Sequence, residues 1–279
     1  MFALAGLQPI EAALPPLPIP YYQYPLEVID PITTNAIGSG FILQASNSVY
    51  LVTARHVLFE SGTNGWQLSR PQIEISAFTS LSETNEGHTV LAVDLQSLLK
   101  KSEVRFSTNR DVALARLEYC TPTNKNFQTY LPEVSVKTTN HVLCMCPETL
   151  MMKYPEVSFV GSDVFLVGFP ASIGIPELPQ IDSTRPLLRK GIVAGLNQSR
   201  RTIILDCPVY QGNSGGPVVT KEQINANTWY FPILGIAVEW VPFRDVWESK
   251  RFKYTNQTLS NSGYAVVEPA EAILEMVWQ

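Results

Sequence analysis

The chain has 279 residues, of which 45% are hydrophobic, and its mean hydropathy is +0.04. This apolar content is sufficient for two small cores, and the absence of an apolar run of about 18 residues argues against a membrane span. The net charge of −5, with no basic block, argues against nucleic-acid binding and favours a protein or peptide substrate or partner.

The first 35 residues differ in composition from the rest of the chain. They hold seven of the 21 prolines, and no lysine or arginine precedes Arg55. A secretory leader has a basic start and an uninterrupted apolar middle, whereas this segment contains Gln8, Glu11 and repeated prolines. We therefore predict an extended arm over residues 1–35, with a pro-segment or a docking arm as the alternative.

Three apolar stretches predict strands, and two polar residues, His56 and Asp111, lie at the ends of these strands. Gly38 to Leu43 and Val49 to Leu58 are rich in β-branched and aromatic residues and predict a hairpin, the second strand of which closes on His56. Further along, Asp111 stands at the mouth of a strand predicted for Val112 to Leu117. Each residue also has an ordinary interpretation, as a histidine at a strand end and as an aspartate that begins a strand.

The hexapeptide Gly212 to Pro217 presents Ser214 between glycines, whose backbone can bend where a side chain would clash. A nucleophilic serine needs open access and backbone N–H groups that hold an oxyanion, which Gly212 and Ser214 can supply. The ordinary alternative is a turn. Because serine alone is too weakly acidic to attack at neutral pH, a nucleophilic role also requires a base.

The order of the histidines restricts the choice of fold. His56, His88 and His141 all precede Ser214, whereas α/β-hydrolases place their histidine after the serine. The remaining orders are His, Asp, Ser on paired β-barrels and Asp, His, Ser on the subtilisin fold. The strand contexts of His56 and Asp111 favour the first order. We expect His88 to lie in a solvated loop and His141 to be structural or exposed.

Seven segments, occurring in the family's order, resemble chymotrypsin-fold (trypsin-like) serine peptidases. The likeness is closest to bacterial trypsin-like domains of the high-temperature-requirement type. Each segment is a weak signal alone, but the series is difficult to assign to another family. The segments are Gly38 to Phe41, Thr53 to Val57, Asp111 to Leu114, Val167 to Pro170, Lys190 to Val193, Gly212 to Pro217 and Gly263 to Val266.

The resemblance implies an all-β fold of two six-stranded antiparallel Greek-key barrels, with the site in the cleft between them. A C-terminal helix is predicted from the helical spacing after Pro269, and we expect it to pack on the second barrel. With 65 residues left after Ser214, no PDZ domain is expected to follow. The implied divisions are an arm at 1–35, a first barrel with His56 and Asp111 at 36–130, a connector at 131–155, and a second barrel with Ser214 and the helix at 156–279.

The resemblance also implies a role for each site residue. Ser214 would attack the scissile carbonyl, and His56 would take its proton and return it to the leaving amine. Asp111 would fix the imidazole tautomer and stabilise the imidazolium. The N–H groups of Gly212 and Ser214 would form the oxyanion hole.

The specificity pocket can be outlined from the same resemblance. Its base is Pro208, six residues before the nucleophile, where a trypsin holds an aspartate. Ile236, Ala237 and Val238 are expected to pair with the substrate backbone, and Gly263 leaves one wall open. We therefore expect cleavage after small or medium apolar residues.

Regulation is expected to differ from that of the digestive relatives. Asn213 stands where those enzymes carry an aspartate that a newly cleaved N-terminus engages. Control would then come from loop ordering or from a regulatory protein partner. The segment from Ile173 to Leu188 is the candidate gating loop, and a surface insertion is the alternative.

The cysteines predict neither a metal site nor a disulfide framework. Cys120, Cys144, Cys146 and Cys207 lack a Cys-x-x-Cys pair, so we interpret them as reduced core thiols. No metal or cofactor is expected. Reduced thiols and a start that is not typical of a leader favour the cytoplasm.

The function predicted first is a serine endopeptidase that acts through an acyl-enzyme. A protease-fold binding or scaffold component of a signalling, defence or virulence system, with latent activity, is the alternative. Esterase or acyltransferase chemistry from the same residues is a third possibility.

Overall fold

The computed structural model describes residues 24–63, 65–82, 85–119, 130–138, 143–154, 160–170, 178–225 and 228–278. The predictions for residues 1–23, Cys120, His141 and the start of the gating loop fall outside the described residues. The all-β prediction is confirmed, because two curled and mainly antiparallel units are followed by one short helix. Of the helices within the described ranges, none has the length and apolarity needed to cross a bilayer.

The first unit is a sheet curled around a hydrophobic core. Its strands are β1 (Pro25–Ile29), β2 (Ala36–Ala45), β3 (Ser48–Thr53), β4 (Phe59–Gly62), β5 (Gly65–Leu68), β6 (Gln72–Ser82), β7 (Asn85–Asp94), β8 (Val104–Phe106), β9 (Ala113–Tyr119), β10 (Val134–Thr138) and β11 (Met145–Pro147). Nine of them form one sheet in the order β10-β7-β6-β1-β2-β3-β9-β8, with β11 parallel to β2, while β4 and β5 form a separate hairpin. Every residue of β3 is buried, which places the strand leading to His56 in the middle of the core.

The short helices of the first unit lie at strand ends. Helix α1 (Arg55–Leu58) follows β3, and α2 (Leu95–Lys100) follows β7. Asp94 caps α2 by accepting a hydrogen bond of 3.0 Å from the Ser97 N–H. One turn of 3-10 helix covers Glu148–Leu150.

The second unit is a closed barrel of six strands, as predicted. The strands of this half are β12 (Asp163–Gly168), β13 (Leu187–Asn197), β14 (Thr202–Asp206), β15 (Pro217–Thr220), β16 (Glu222–Asn225), β17 (Thr228–Tyr230), β18 (Ile233–Ser249) and β19 (Tyr254–Pro269). The barrel order is β12-β13-β14-β19-β18-β15, and β16 pairs with β17 outside it. The loop that carries Ser214 joins β14 to β15.

Helix α3 (Ala270–Val277) confirms the predicted C-terminal helix, and it contacts β18 and β19 of the second barrel as well as β9 of the first unit. Its buried side chains, such as Ile273 and Val277, belong to a core cluster to which both units contribute. Arg105 of β8 also donates a hydrogen bond of 2.8 Å to the Met276 carbonyl oxygen. The helix therefore packs against both units rather than on the second barrel alone, because its apolar face fits between them.

The first unit extends beyond the expected limits. β1 lies inside the predicted arm and pairs with β2 and β6, while β10 and β11 lie inside the predicted connector. The first sheet therefore has more strands than the expected six. His88 lies in β7 with its ring 5.6 Å from that of Phe78, rather than in a solvated loop.

Candidate active site

The base of the predicted triad is held by its neighbour in α1. Arg55 Nη1 donates hydrogen bonds of 2.6 and 3.0 Å to the carbonyl oxygens of Ser107 and Thr108, and its guanidinium stacks 3.8 Å from the Trp66 ring centroid. These contacts connect α1 to the loop that precedes Asp111. The backbone at His56 is thereby fixed relative to that aspartate.

His56 and Asp111 make two hydrogen bonds. The His56 N–H donates to Asp111 Oδ1 at 3.0 Å, and Nδ1 lies 2.6 Å from Oδ2. Burial alone would raise the pKa of the Asp111 carboxyl, but the hydrogen bonds and charge of His56, with the nearby Arg55, outweigh it and lower that pKa. The carboxylate therefore stays ionised, and it holds the imidazole with Nδ1 protonated and Nε2 free to accept a proton.

A carboxylate of the second barrel accepts hydrogen bonds from Asp111 and from its neighbour Arg110. Glu268 Oε1 accepts a hydrogen bond of 3.3 Å from the Asp111 N–H, and Oε2 accepts one of 2.9 Å from Arg110 Nη1. Glu268 is buried at the end of β19. The first unit supplies Asp111, but the second barrel holds its loop in place.

The nucleophile loop is bound to both units through Ser39 of β2. The Ser39 N–H donates to the Ser214 carbonyl oxygen at 2.8 Å, and its Oγ donates to the Gly212 carbonyl oxygen at 2.6 Å. The same Oγ accepts a hydrogen bond of 2.9 Å from the Phe169 N–H. Ser39 is fully buried, so these bonds form away from water.

The glycines around Ser214 are required by conformation and by close approach. Gly212 has φ of +92° and Gly215 has φ of +87°, a region that glycine adopts far more readily than other residues. A side-chain carbon at Gly215 would also collide with the Ser39 carbonyl oxygen and the Thr53 hydroxyl. The loop can therefore lie directly on the strand ends that lead to His56.

The predicted oxyanion donors are available. Among the described residues, no acceptor takes a hydrogen bond from the N–H of Gly212 or Ser214. The adjacent carbonyl of Gly212 is held by Ser39, which fixes the orientation of the loop. Two free amides beside a serine can stabilise the negative charge that develops on an attacked carbonyl.

Gly38 lies between the segments that carry two of the predicted triad residues, His56 and Ser214. A side-chain carbon at Gly38 would lie 2.7 Å from Val57 Cγ2 and 3.1 Å from the Ser214 carbonyl oxygen. The absence of a side chain at Gly38 therefore lets these two segments approach each other. Within the described ranges, no hydrogen bond yet joins the Ser214 hydroxyl to His56. Such contacts commonly tighten only when substrate is bound.

Asn213 makes local hydrogen bonds within the nucleophile loop. Its side chain is buried, and Oδ1 accepts a hydrogen bond of 3.2 Å from the Tyr210 N–H. Its backbone N–H donates to the Tyr210 carbonyl oxygen at 3.0 Å. These two hydrogen bonds close the loop between Tyr210 and Asn213.

The predicted pocket residues lie around the nucleophile loop. Ala237 exchanges backbone hydrogen bonds with the loop, donating to the Gly216 carbonyl oxygen at 3.0 Å and accepting from the Gly215 N–H at 2.7 Å. Its neighbours in β18, Ile236 and Val238, are buried. Pro208 is half-buried and lies between Cys207 and Val209, both of which are tied to β19.

Gly263 lies opposite this loop on β19. It has φ of +88°, its carbonyl oxygen accepts a hydrogen bond of 2.9 Å from the Cys207 N–H, and its own N–H donates to Asn261 Oδ1 at 2.9 Å. Asn261 Nδ2 in turn donates to the Val209 carbonyl oxygen at 2.7 Å. Asn261 is a positioning residue that the sequence did not indicate.

The described part of the gating loop contacts the first unit. The Arg185 guanidinium lies 4.9 Å from the Phe78 ring centroid, and Arg185 also pairs with Asp182 at 3.1 Å. Burial lowers the pKa of His88, which packs on the same Phe78 ring, although the nearby Asp182 acts in the opposite direction. This loop is thus anchored on β6 and β7.

The cysteines in the described ranges are free thiols. Cys146 and Cys207 are buried and Cys144 is half-buried. Burial raises the pKa of Cys144 to about 11 and also raises the pKa of Cys146 and Cys207. These thiols stay protonated and are poor nucleophiles.

Comparison with known proteins gives a matching family and a structural likeness. The family model described as the trypsin-like peptidase domain matches residues 38–224, a stretch that contains His56, Asp111 and Ser214. No curated protein matches the chain. The serine endoprotease from Yersinia pestis is similar in structure, with 14% sequence identity and a TM-score of 0.45. The alignment covers 92% of this chain and 62% of that one, so this chain spans less than two thirds of its length. Since the family match extends over more than half of its residues, the chain belongs to the trypsin-like peptidase domain family.

Proposed function

We propose that the protein is a serine endopeptidase that cleaves protein substrates through an acyl-enzyme, with His56, Asp111 and Ser214 as its triad. The observation that carries this proposal is the 2.6 Å contact of His56 Nδ1 with Asp111, beside a serine flanked by two free amides. This is the set of groups that acyl transfer requires.

The proposed reaction proceeds in two steps. His56 Nε2 accepts the Ser214 Oγ proton as Oγ bonds to the scissile carbonyl carbon, and the resulting oxyanion is held by the N–H groups of Gly212 and Ser214. The intermediate collapses, the C–N bond breaks, and the leaving amine takes the proton from His56. Water then attacks the acyl-enzyme by the same sequence and releases the carboxylate product.

The proposed specificity is for small or medium apolar residues before the cleaved bond. Pro208 supplies no charge for a lysine or arginine, and the buried Ile236 and Val238 flank the pairing residue Ala237. Gly263 adds no side chain to the opposite wall. These features support an apolar pocket.

A fluorophosphonate probe and proteome-wide cleavage profiling together test the proposal. We expect the probe to label the wild type at Ser214, and the wild type to produce cleavages after Ala, Val or similar residues that Ser214→Ala does not produce. Thr220→Ala, which alters a buried hydroxyl at the end of β15, is the control and should keep its activity. Absence of labelling and cleavage, with and without candidate partners, would favour the scaffold function.

A further inference from the structure

The outer parts of β18 and β19 form a hairpin that leaves the barrel. Strand pairing continues from Pro242 and Asn261 out to Ser249 and Tyr254. We call residues 242–261 the ribbon. Side chains on both of its faces are exposed. A two-stranded hairpin with no packed face is only marginally stable alone, so a functional contact would account for its length.

One face of the ribbon is aromatic. Alternation along paired strands places Phe243, Trp247 and Tyr254 on the same side. Their exposed fractions are 58%, 48% and 49%, and the rings of Trp247 and Tyr254 lie 5.7 Å apart in edge contact. Phe252, at the turn, is 68% exposed. Asp245 lies on the same face between Phe243 and Trp247, so this face presents exposed aromatic rings among polar side chains, a composition that is typical of interaction surfaces.

The ribbon is basic, whereas the protein is acidic. Residues 242–261 contain four basic and two acidic side chains, while the whole chain has a net charge of −5. Three of the basic residues, Lys250, Arg251 and Lys253, surround Phe252 at the turn. An occupant of this surface is therefore expected to combine apolar and acidic side chains.

The ribbon continues the strand edge that lies beside the nucleophile. The pairing of β15 with β18 ends at Pro217 and Ile236, and Ala237 bonds to the nucleophile loop. Beyond Ala237, this edge of β18 has no strand partner among the described residues. The edge is therefore open to an incoming polypeptide where it passes Ser214.

The direction of the strand fixes which part of a substrate reaches the ribbon. A substrate lying antiparallel to β18, with its scissile carbonyl at Ser214, runs its N-terminal side past Glu239 and Trp240. At about 3.3 Å per residue, the aromatic face lies about 20–33 Å beyond Ala237. Substrate residues roughly six to ten positions before the cleaved bond would reach it.

We propose that the ribbon is a second substrate-binding surface, which takes an acidic and apolar segment located upstream of the cleaved bond. This inference rests on the proposed endopeptidase function. It assigns the ribbon a role in substrate selection that is separate from the pocket. Short peptides would be cleaved without it, and longer polypeptides with the right upstream segment would be preferred.

Matched peptides test the proposal. Two fluorogenic substrates share one cleaved sequence, and the longer one continues upstream for about 15 residues rich in Asp, Glu, Leu and Phe, which is long enough to reach both the aromatic face and the basic turn. We expect the extension to raise kcat/KM about 10-fold or more, chiefly through KM, and the gain to shrink at high salt. A third peptide, with lysine replacing the extension's acidic residues, should show little gain.

Ribbon variants locate the effect. Trp247→Ser combined with Phe243→Ser, and separately Lys250→Glu combined with Arg251→Glu, should reduce the gain to less than about 3-fold while the short peptide is cleaved as before. Val246→Ser changes an exposed residue on the opposite face and is the matched control that keeps the gain.

Binding to Ser214→Ala separates this inference from the proposed function. If no peptide is cleaved but the long peptide still binds this variant more tightly than the short one, the endopeptidase proposal fails and the ribbon surface stands. Equal kcat/KM and equal binding for both peptides would overturn the ribbon proposal. Two other results would assign the surface to another occupant if the extension does not raise kcat/KM. Ribbon-dependent binding to anionic vesicles would assign it to a membrane. A dimer that is lost in Trp247→Ser would assign it to a second copy of the chain.

Discussion

Glu268 shows how a residue outside the triad can control the triad's geometry. It contacts the backbone of Asp111 and the side chain of Arg110 at once, and it belongs to the other unit. A shift of Asp111 would move His56, because the aspartate holds both the backbone and the ring of that histidine. Glu268 is therefore a positioning residue for the proposed base.

Glu268→Ala should lower kcat roughly 10- to 100-fold with a smaller change in KM, because the Asp111 loop loses its support. Glu268→Gln retains an acceptor for the Asp111 N–H and should restore much of kcat. Steady-state kinetics on one peptide would measure both. The control for lost charge is Glu271→Gln, which removes a carboxylate of α3 that pairs with Arg201. A fall in melting temperature with unchanged kcat would limit Glu268 to a structural role.

The sequence predicted the triad residues but not the residues that contact them. His56, Asp111 and Ser214 each lie in a short segment that resembles the family locally. Glu268 and Asp111 are instead separated by 157 positions, and Arg55 acts through backbone oxygens that any residues could provide. No local pattern predicts such pairs, because only the tertiary fold creates them.

At the scale of elements, the nucleophile loop is held by hydrogen bonds to Ser39 of β2. Ser39 bonds to Ser214, Gly212 and Phe169, and so connects the loop to β2 and to the end of β12. The oxyanion donors lie in the peptide units next to these contacts. Their orientation is therefore set by a strand of the other unit.

Ser39→Ala should leave the Gly212 carbonyl and the Phe169 N–H without their buried partner, and we expect a loss of about 1–3 kcal/mol in stability. We also expect kcat to fall at least about 10-fold, because the Gly212 peptide is freer to turn. Urea unfolding and steady-state kinetics would measure the two effects.

Ser48→Ala, at another buried serine of the first sheet, is the matched control. It should have little effect on kcat. An equal fall in kcat for both variants would contradict a specific role for Ser39.

Elements without a buried face were the least predictable from sequence. The ribbon has apolar residues on both exposed faces, so it lacks the clear alternation of a half-buried strand. Its turn, from Lys250 to Lys253, contains no glycine, proline or asparagine. β1 was assigned to the arm because prolines flank it, although Leu26 and Val28 point into the core.

At the scale of the molecule, the two units also meet through β1, which lies against β12. Glu27 of β1 stands opposite Ser39 on β2 and so shares the face that meets the second barrel. Burial raises the pKa of its carboxyl to about 7. In the described part of the chain, this carboxyl has no hydrogen-bond or ion-pair partner.

The raised pKa of Glu27 predicts how the stability of the whole protein depends on pH. In the unfolded chain the carboxyl has its ordinary pKa of 4.5, whereas in the folded protein its pKa is about 7. Below pH 4.5 both states are protonated and the group has no effect. As pH rises through this interval folding becomes less favourable, and above about pH 7 the full penalty, roughly 3 kcal/mol, is present.

Glu27→Gln keeps the shape of the side chain and removes the charge, so it should stabilise the protein mainly at alkaline pH. We expect the free energy of unfolding to rise by roughly 3 kcal/mol at about pH 8 and to change little at about pH 4.5. Urea titrations at the two pH values would measure the difference, and Glu60→Gln, at an exposed residue of β4, is the control. A gain of equal size at both pH values would assign the effect to packing. A gain confined to high pH would establish that the contact between the units carries a proton-linked cost.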